Sequence, residues 1–134
     1  MATPTESKTT AAEMVAEAKR QVENLTPAQV AAELRDGSPL LVDLREPEER
    51  AASGVIPGSV HAARGMLEFY ADPTSTYHRP EFQPDRRVIL HCASGGRSAM
   101  AAVTLARLGY ADVAHLDGGF RAWKDQGLPT EDQP

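Results

Sequence analysis

The sequence predicts a single α/β domain whose mainly parallel central sheet is covered by helices on both faces. Three observations predict it. Short apolar runs bounded by turn signals alternate with stretches of helical periodicity, the pattern of repeated β–α–β units. The runs Pro39 to Leu44 and Arg87 to His91 are nearly continuously apolar rather than alternating, as strands buried on both faces require. With 134 residues, of which 41% are hydrophobic and 25% charged, the chain can bury one core and is too short for two.

The elements follow in order. From about Thr10 to Glu23, Met14, Val15 and Ala18 share one helical face opposite charged residues, which predicts an extra amphipathic helix after a polar start. That helix is expected to form an accessory layer or a self-association surface, the route to a homodimer. Thr26-Pro27 reads as an N-cap and first helical position, Val30, Ala31 and Leu34 give the apolar stripe, and Asp36-Gly37 marks the stop. Pro39 to Leu44 is a buried strand; Glu46-Pro47-Glu48-Glu49 opens a short helix, Gly54 to Gly58 turns, and Ser59 to Ala62 is a further strand.

Arg87 to His91 is the clearest strand and runs into a glycine-rich loop. Arg97 to Leu108 then forms a largely apolar helix closed by Gly109. Val113 to Leu116 is the last strand, and Gly119-Phe120-Arg121-Ala122-Trp123 opens the last helix. The long irregular stretch from Ala71 to Asp85, punctuated by Pro73, Pro80 and Pro84, is expected to be a loop. Its Tyr77, His78, Arg79 and Phe82 would act either as a lid over the site or as plain coverage.

Composition excludes several classes of function. The net charge of −5 and the scattered Lys and Arg provide no basic stripe, so neither nucleic acid nor a membrane surface is expected as a partner. The N-terminus lacks the basic start, apolar run and cleavage site of a secretory signal, and no stretch has the roughly 20 apolar residues that span a bilayer. The one cysteine, Cys92, cannot form an internal disulfide. A cytoplasmic location is the resulting expectation.

The chemistry concentrates in Cys92-Ala93-Ser94-Gly95-Gly96-Arg97, set between strand and helix. Backbone N–H groups of such a turn can converge on one point, and the helix N-terminus adds partial positive charge there. A sulfur at that point becomes a nucleophile inside a small anion cradle. Gly95 and Gly96 permit backbone angles that would cost a residue with a side chain about 1–2 kcal/mol, and Arg97 adds a permanent cation with a forked donor set. Two kinds of cysteine chemistry fit this pattern: one transfers phosphate, the other sulfur. His91 is expected to be structural, because alternation along the strand sends its side chain away from that of Cys92.

This strand, loop and helix resemble the active-site segment of the rhodanese family, and the resemblance extends over residues 25–129. Leu41-Val42-Asp43-Leu44-Arg45-Glu46-Pro47-Glu48-Glu49 is similar to that family's first signature, and Gly54-Val55-Ile56-Pro57-Gly58-Ser59 to the turn that follows. Gly118-Gly119-Phe120-Arg121-Ala122-Trp123, ahead of Gly127-Leu128-Pro129, is similar to its C-terminal signature. Residues 1–24 then precede the domain as a polar start and accessory helix, and 130–134 form a tail.

The resemblance implies a sulfurtransferase in which Cys92 takes a sulfane sulfur from thiosulfate or a related small donor and carries it as a persulfide. A thiol, or cyanide in an assay, then accepts the sulfur. Ala93, Ser94, Gly95, Gly96 and Arg97 would bind the substrate, mainly through backbone N–H groups, with Asp43 and Arg45 in support and with no metal or cofactor. The alternatives are a small cysteine phosphatase or arsenate reductase, and a non-catalytic binding module of the same fold. Loop length favours sulfur: four residues separate Cys92 from Arg97, one fewer than the cysteine phosphatases use to surround a tetrahedral phosphate. A phosphatase also needs a placed carboxylic acid, for which Asp72 and Asp117 are the candidates.

Overall fold

The computed structural model describes residues 8–134; the polar start expected before the first helix lies largely outside them. Five parallel strands, β1 (Glu23–Leu25), β2 (Leu40–Asp43), β3 (Val60–His61), β4 (Val88–His91) and β5 (Val113–Leu116), form one sheet in the order β1-β5-β4-β2-β3. Six α-helices accompany it: α1 (Ala11–Gln21), α2 (Pro27–Asp36), α3 (Pro47–Ser53), α4 (Leu67–Ala71), α5 (Gly96–Arg107) and α6 (Gly119–Asp125). The expected α/β architecture is present.

Alternation along the central strands divides the core in two. Val88, Leu90 and Cys92 join Leu40, Val42 and Leu44 against α4 and α5, where Leu67, Ala101 and Leu105 are buried. Ile89 joins Leu41, Ala114 and Leu116 against α2 and α6, where Val30, Phe120 and Trp123 are buried. The two faces explain why the strands read as continuous apolar runs. Helices α1 and α2 both start with reciprocal caps, Thr10 with Glu13 and Thr26 with Gln29, which satisfy N–H groups that the first turn leaves open.

The N-terminal segment contributes more than the expected helix. After α1, the chain adds β1 as an edge strand beside β5, and α1 itself packs on α5. The strand escapes sequence reading because three residues, Glu23-Asn24-Leu25, carry only one buried side chain. The Ala71 to Asp85 stretch is pinned rather than open. Phe82 is fully buried in the core, Arg79 bonds the His61 carbonyl and lies over the Tyr70 ring, and His78 bonds the Phe82 carbonyl. Phe82 therefore covers the core and is unavailable to a lid; Tyr77 is exposed and packs edge-on against Phe69.

Topology positions the site. From β2 the chain crosses by α3 to β3 on one side, whereas from β4 it crosses by α5 to β5 on the other. The loops leaving β2 and β4 diverge there and open a crevice at the strands' C-terminal ends. Both loops that sequence reading singled out, Asp43 to Glu46 and Cys92 to Arg97, leave these two strands.

Candidate active site

β4 delivers Cys92, and Gly95 turns the chain into α5. Gly95 has φ +107°, a left-handed conformation in which a Cβ would also lie 3.2 Å from the Gly118 nitrogen. That turn points the Gly95 N–H at Cys92 Sγ, 3.1 Å away. Cys92 is 1% exposed, and its sulfur is also 3.6 Å from Ser98 Oγ.

The loop is held from behind by the start of α6. Phe120 and Arg121 donate their N–H groups to the carbonyls of Cys92 and Ala93 at 2.8 and 3.0 Å. Those two carbonyls are thereby committed away from the sulfur. Gly119, at φ +64°, makes the approach feasible, since a Cβ there would sit 2.6 Å from the Ala93 carbonyl and 2.7 Å from that of Cys92. The paired glycines of the C-terminal signature thus serve the loop of Cys92.

Arg97 opens α5 with its guanidinium gripped by Glu49 of α3. Nη1 and Nη2 donate to the two carboxylate oxygens at 2.8 Å each. Arg97 holds Glu49 down to about pKa 2. The cation therefore lies beside the loop as part of an ion pair. Asp43 and Arg45, at the end of β2, form a second pair, fully buried. Asp43 accepts from the Arg45 backbone N–H, its Nε and its Nη2 and from Arg50 Nε. Burial alone would raise the Asp43 pKa, but the Arg45 hydrogen bonds and neighbouring charge outweigh it and leave it lowered. Arg45 also bonds the Gly54 carbonyl, and its own carbonyl meets His61 Nε2, so the pair ties three connections together.

His91 points to the opposite face from Cys92. It is fully buried, stacked near Phe120, with burial pushing its pKa down to about 4. Ala93 is partly exposed and Ser94 exposed. Beside them, between α3 and α6, a cavity of about 510 Å³ is lined by Arg45, Glu48, Ala93, Phe120, Arg121 and Lys124 among others. Among the described residues no group of three or more His, Cys, Asp or Glu could hold a metal ion, and no helix is long and apolar enough to cross a membrane.

Residues 26–126 match the family described as the rhodanese-like domain. This chain belongs to the rhodanese family. A sulfurtransferase of Allochromatium vinosum is 37% identical over 90 residues, covering 67% of this chain and 76% of that protein. The thiosulfate sulfurtransferase GlpE of Ectopseudomonas mendocina is 34% identical over 96 residues, 72% of this chain and 80% of that one. A solved structure from Rhodopseudomonas palustris, described as a protein of unknown function and possible tyrosine phosphatase, is 42% identical with a TM-score of 0.88, covering 97% of this chain and 100% of that chain.

Sequence reasoning missed four residues that the structure brings to this family loop. Glu49 reads only as part of the first signature and of a helix start, because its partner Arg97 is 48 positions away. Ser98 closes the loop motif and could have been singled out by its place after Arg97. His115 reads as an ordinary strand residue and Asn24 falls between two predicted helices, yet His115 Nδ1 lies 2.9 Å from Ser98 Oγ and its Nε2 2.7 Å from Asn24 Oδ1.

Proposed function

We propose that this protein is a sulfurtransferase of the thiosulfate type, with Cys92 as nucleophile and sulfur carrier. The observation that carries this reading is the Gly95 N–H aimed at Cys92 Sγ at 3.1 Å inside a loop of only four intervening residues. The Cys92 thiolate attacks the sulfane sulfur of thiosulfate; a new S–S bond forms, the old one breaks, and sulfite leaves with its electron pair. The persulfide that remains is anionic on its outer sulfur, where N–H groups of Ala93 to Arg97 stabilise it. Cyanide or an acceptor thiolate then attacks that outer sulfur and returns Cys92 to its thiolate. The naming of two curated relatives as sulfurtransferases supports the same reading.

The description of the Rhodopseudomonas structure favours a second reading, a cysteine phosphatase. Such an enzyme needs a protonated acid beside the leaving group. Asp117 is paired with Lys19 at 2.9 Å, and Asp72 accepts from the Thr74 N–H and hydroxyl; these contacts hold both carboxyls below their usual range and therefore ionised at neutral pH. The contacts disfavour the protonated form that a general acid needs, which supports sulfur over phosphate.

The intact mass decides. Thiosulfate is expected to add one sulfur atom, cyanide to remove it as thiocyanate, and Cys92→Ser to show neither change. An unchanged wild-type mass without thiocyanate would put the non-catalytic reading ahead. Aryl phosphate hydrolysis that Cys92→Ser abolishes would assign the loop to phosphatase chemistry.

A further inference from the structure

The hydrogen-bond chain behind Cys92 begins outside the segment that matches the family. β1 places Asn24 directly beside His115 of β5 in the parallel register. The Asn24 side chain donates from Nδ2 to the carbonyls of Lys19 and Val22, at 2.9 and 3.0 Å, which turns Oδ1 toward His115 Nε2 at 2.7 Å. A carboxamide oxygen only accepts, so Nε2 carries the proton. Burial keeps the ring neutral by pushing its pKa down to about 4, and Nδ1 is left as a bare lone pair. Ser98 Oγ lies 2.9 Å from Nδ1 and must donate to it.

That commits the only hydroxyl hydrogen of Ser98, whose other acceptor, the Gly95 carbonyl, is farther away at 3.4 Å. Toward Cys92 Sγ, 3.6 Å away, Ser98 presents oxygen lone pairs, which accept an S–H and repel an anionic sulfur. We propose that Asn24 and His115 are positioning residues that aim the Ser98 hydroxyl away from Cys92, so that Ser98 favours the thiol and opposes the thiolate. The Gly95 N–H acts in the opposite sense, and the balance between the two sets how readily Cys92 enters sulfur transfer. This deepens the sulfurtransferase reading and rests on Cys92 being its reactive sulfur. The charged groups around the chain are the Lys19–Asp117 pair beside His115 and the Arg97–Glu49 pair beside the loop.

The test is the pH dependence of Cys92 alkylation by the neutral reagent iodoacetamide, followed by intact mass over roughly pH 5 to 9, where thiolate formation governs the rate. His115→Phe removes the nearer acceptor and leaves the Ser98 hydroxyl to choose between the neutral Gly95 carbonyl, 3.4 Å away, and an anionic Cys92 sulfur, the stronger acceptor, so the half-maximal pH is expected to fall by about one unit, a tenfold change in the thiolate-to-thiol ratio. Asn24→Leu is expected to act in the same direction, because the freed ring can place its proton on Nδ1 and donate to Ser98. In a Ser98→Ala background neither substitution is expected to move the midpoint.

A midpoint that stays or rises in the folded variants, or one that falls equally without Ser98, overturns the proposal. Circular dichroism and melting establish the fold, and if His115→Phe fails to fold, Asn24→Leu at the sheet edge decides alone. Failure of the sulfurtransferase reading would show separately, as a missing mass gain with thiosulfate while the alkylation profile kept its expected pattern.

Discussion

Arg97 combines two demands on one guanidinium. A planar fork suits an oxyanion such as thiosulfate, yet both terminal nitrogens are occupied by Glu49. Both side chains are about a third exposed, so screening limits the pair to about 1 kcal/mol of stability. Arg97→Lys keeps the charge and loses the fork. It is expected to raise the KM for thiosulfate about tenfold while changing iodoacetamide alkylation of Cys92 by less than threefold, the size of one charge-assisted hydrogen bond. Equal, small changes in both measurements would make Arg97 a structural clamp between α3 and α5.

At the scale of elements, the contact between the Cys92 loop and the start of α6 is where backbone meets backbone without room for a side chain. Gly119→Ala combines a left-handed φ with overlap against two loop carbonyls. A cost on the order of 2–4 kcal/mol is expected, with loss of most sulfur transfer as the loop shifts. Gly127 is the control: its φ is +73°, but nothing lies within 4 Å of the added Cβ. Gly127→Ala should therefore lower the melting temperature less and leave transfer near wild type. Similar losses in both variants would show that backbone conformation alone, and not the close approach to the loop, is responsible.

For the molecule as a whole, acid stability reports on buried histidines. His91 and His115 both have pKa values pushed down to about 4 by burial, against 6.5 when free. Between these values the unfolded chain binds more protons than the folded one, so stability rises with pH across that window and is lost as pH falls from 6.5 toward 4. Each ring contributes on the order of 2–3 kcal/mol to that loss. Glu49 extends it, since its pKa of about 2 lies below the ordinary carboxylate value and its contribution disappears as pH falls from 4.5 through 2. Denaturant unfolding at a series of pH values is expected to show decline already below pH 6.5. A double variant, His91→Asn with His115→Asn, should flatten the upper part of that slope; an unchanged slope would assign it to carboxylates.

Periodicity and turn chemistry by themselves determined the α/β class, the buried strands β2, β4 and β5, helices α2, α5 and α6, and the Cys92 loop. These signals are local: the run Val88-Ile89-Leu90, the Thr26-Pro27 cap and the Gly95-Gly96 turn act through neighbours in sequence. Only the tertiary structure decided that β1 joins the sheet, that Phe82 fills the core, that Glu49 holds Arg97, and that Asn24 reaches Ser98 through His115. Each of these depends on residues brought together from distant positions, 48 apart for Glu49 and Arg97 and 91 for Asn24 and His115. A single sequence carries no local mark of such a pairing, because each side chain is unremarkable until its partner closes the hydrogen bond.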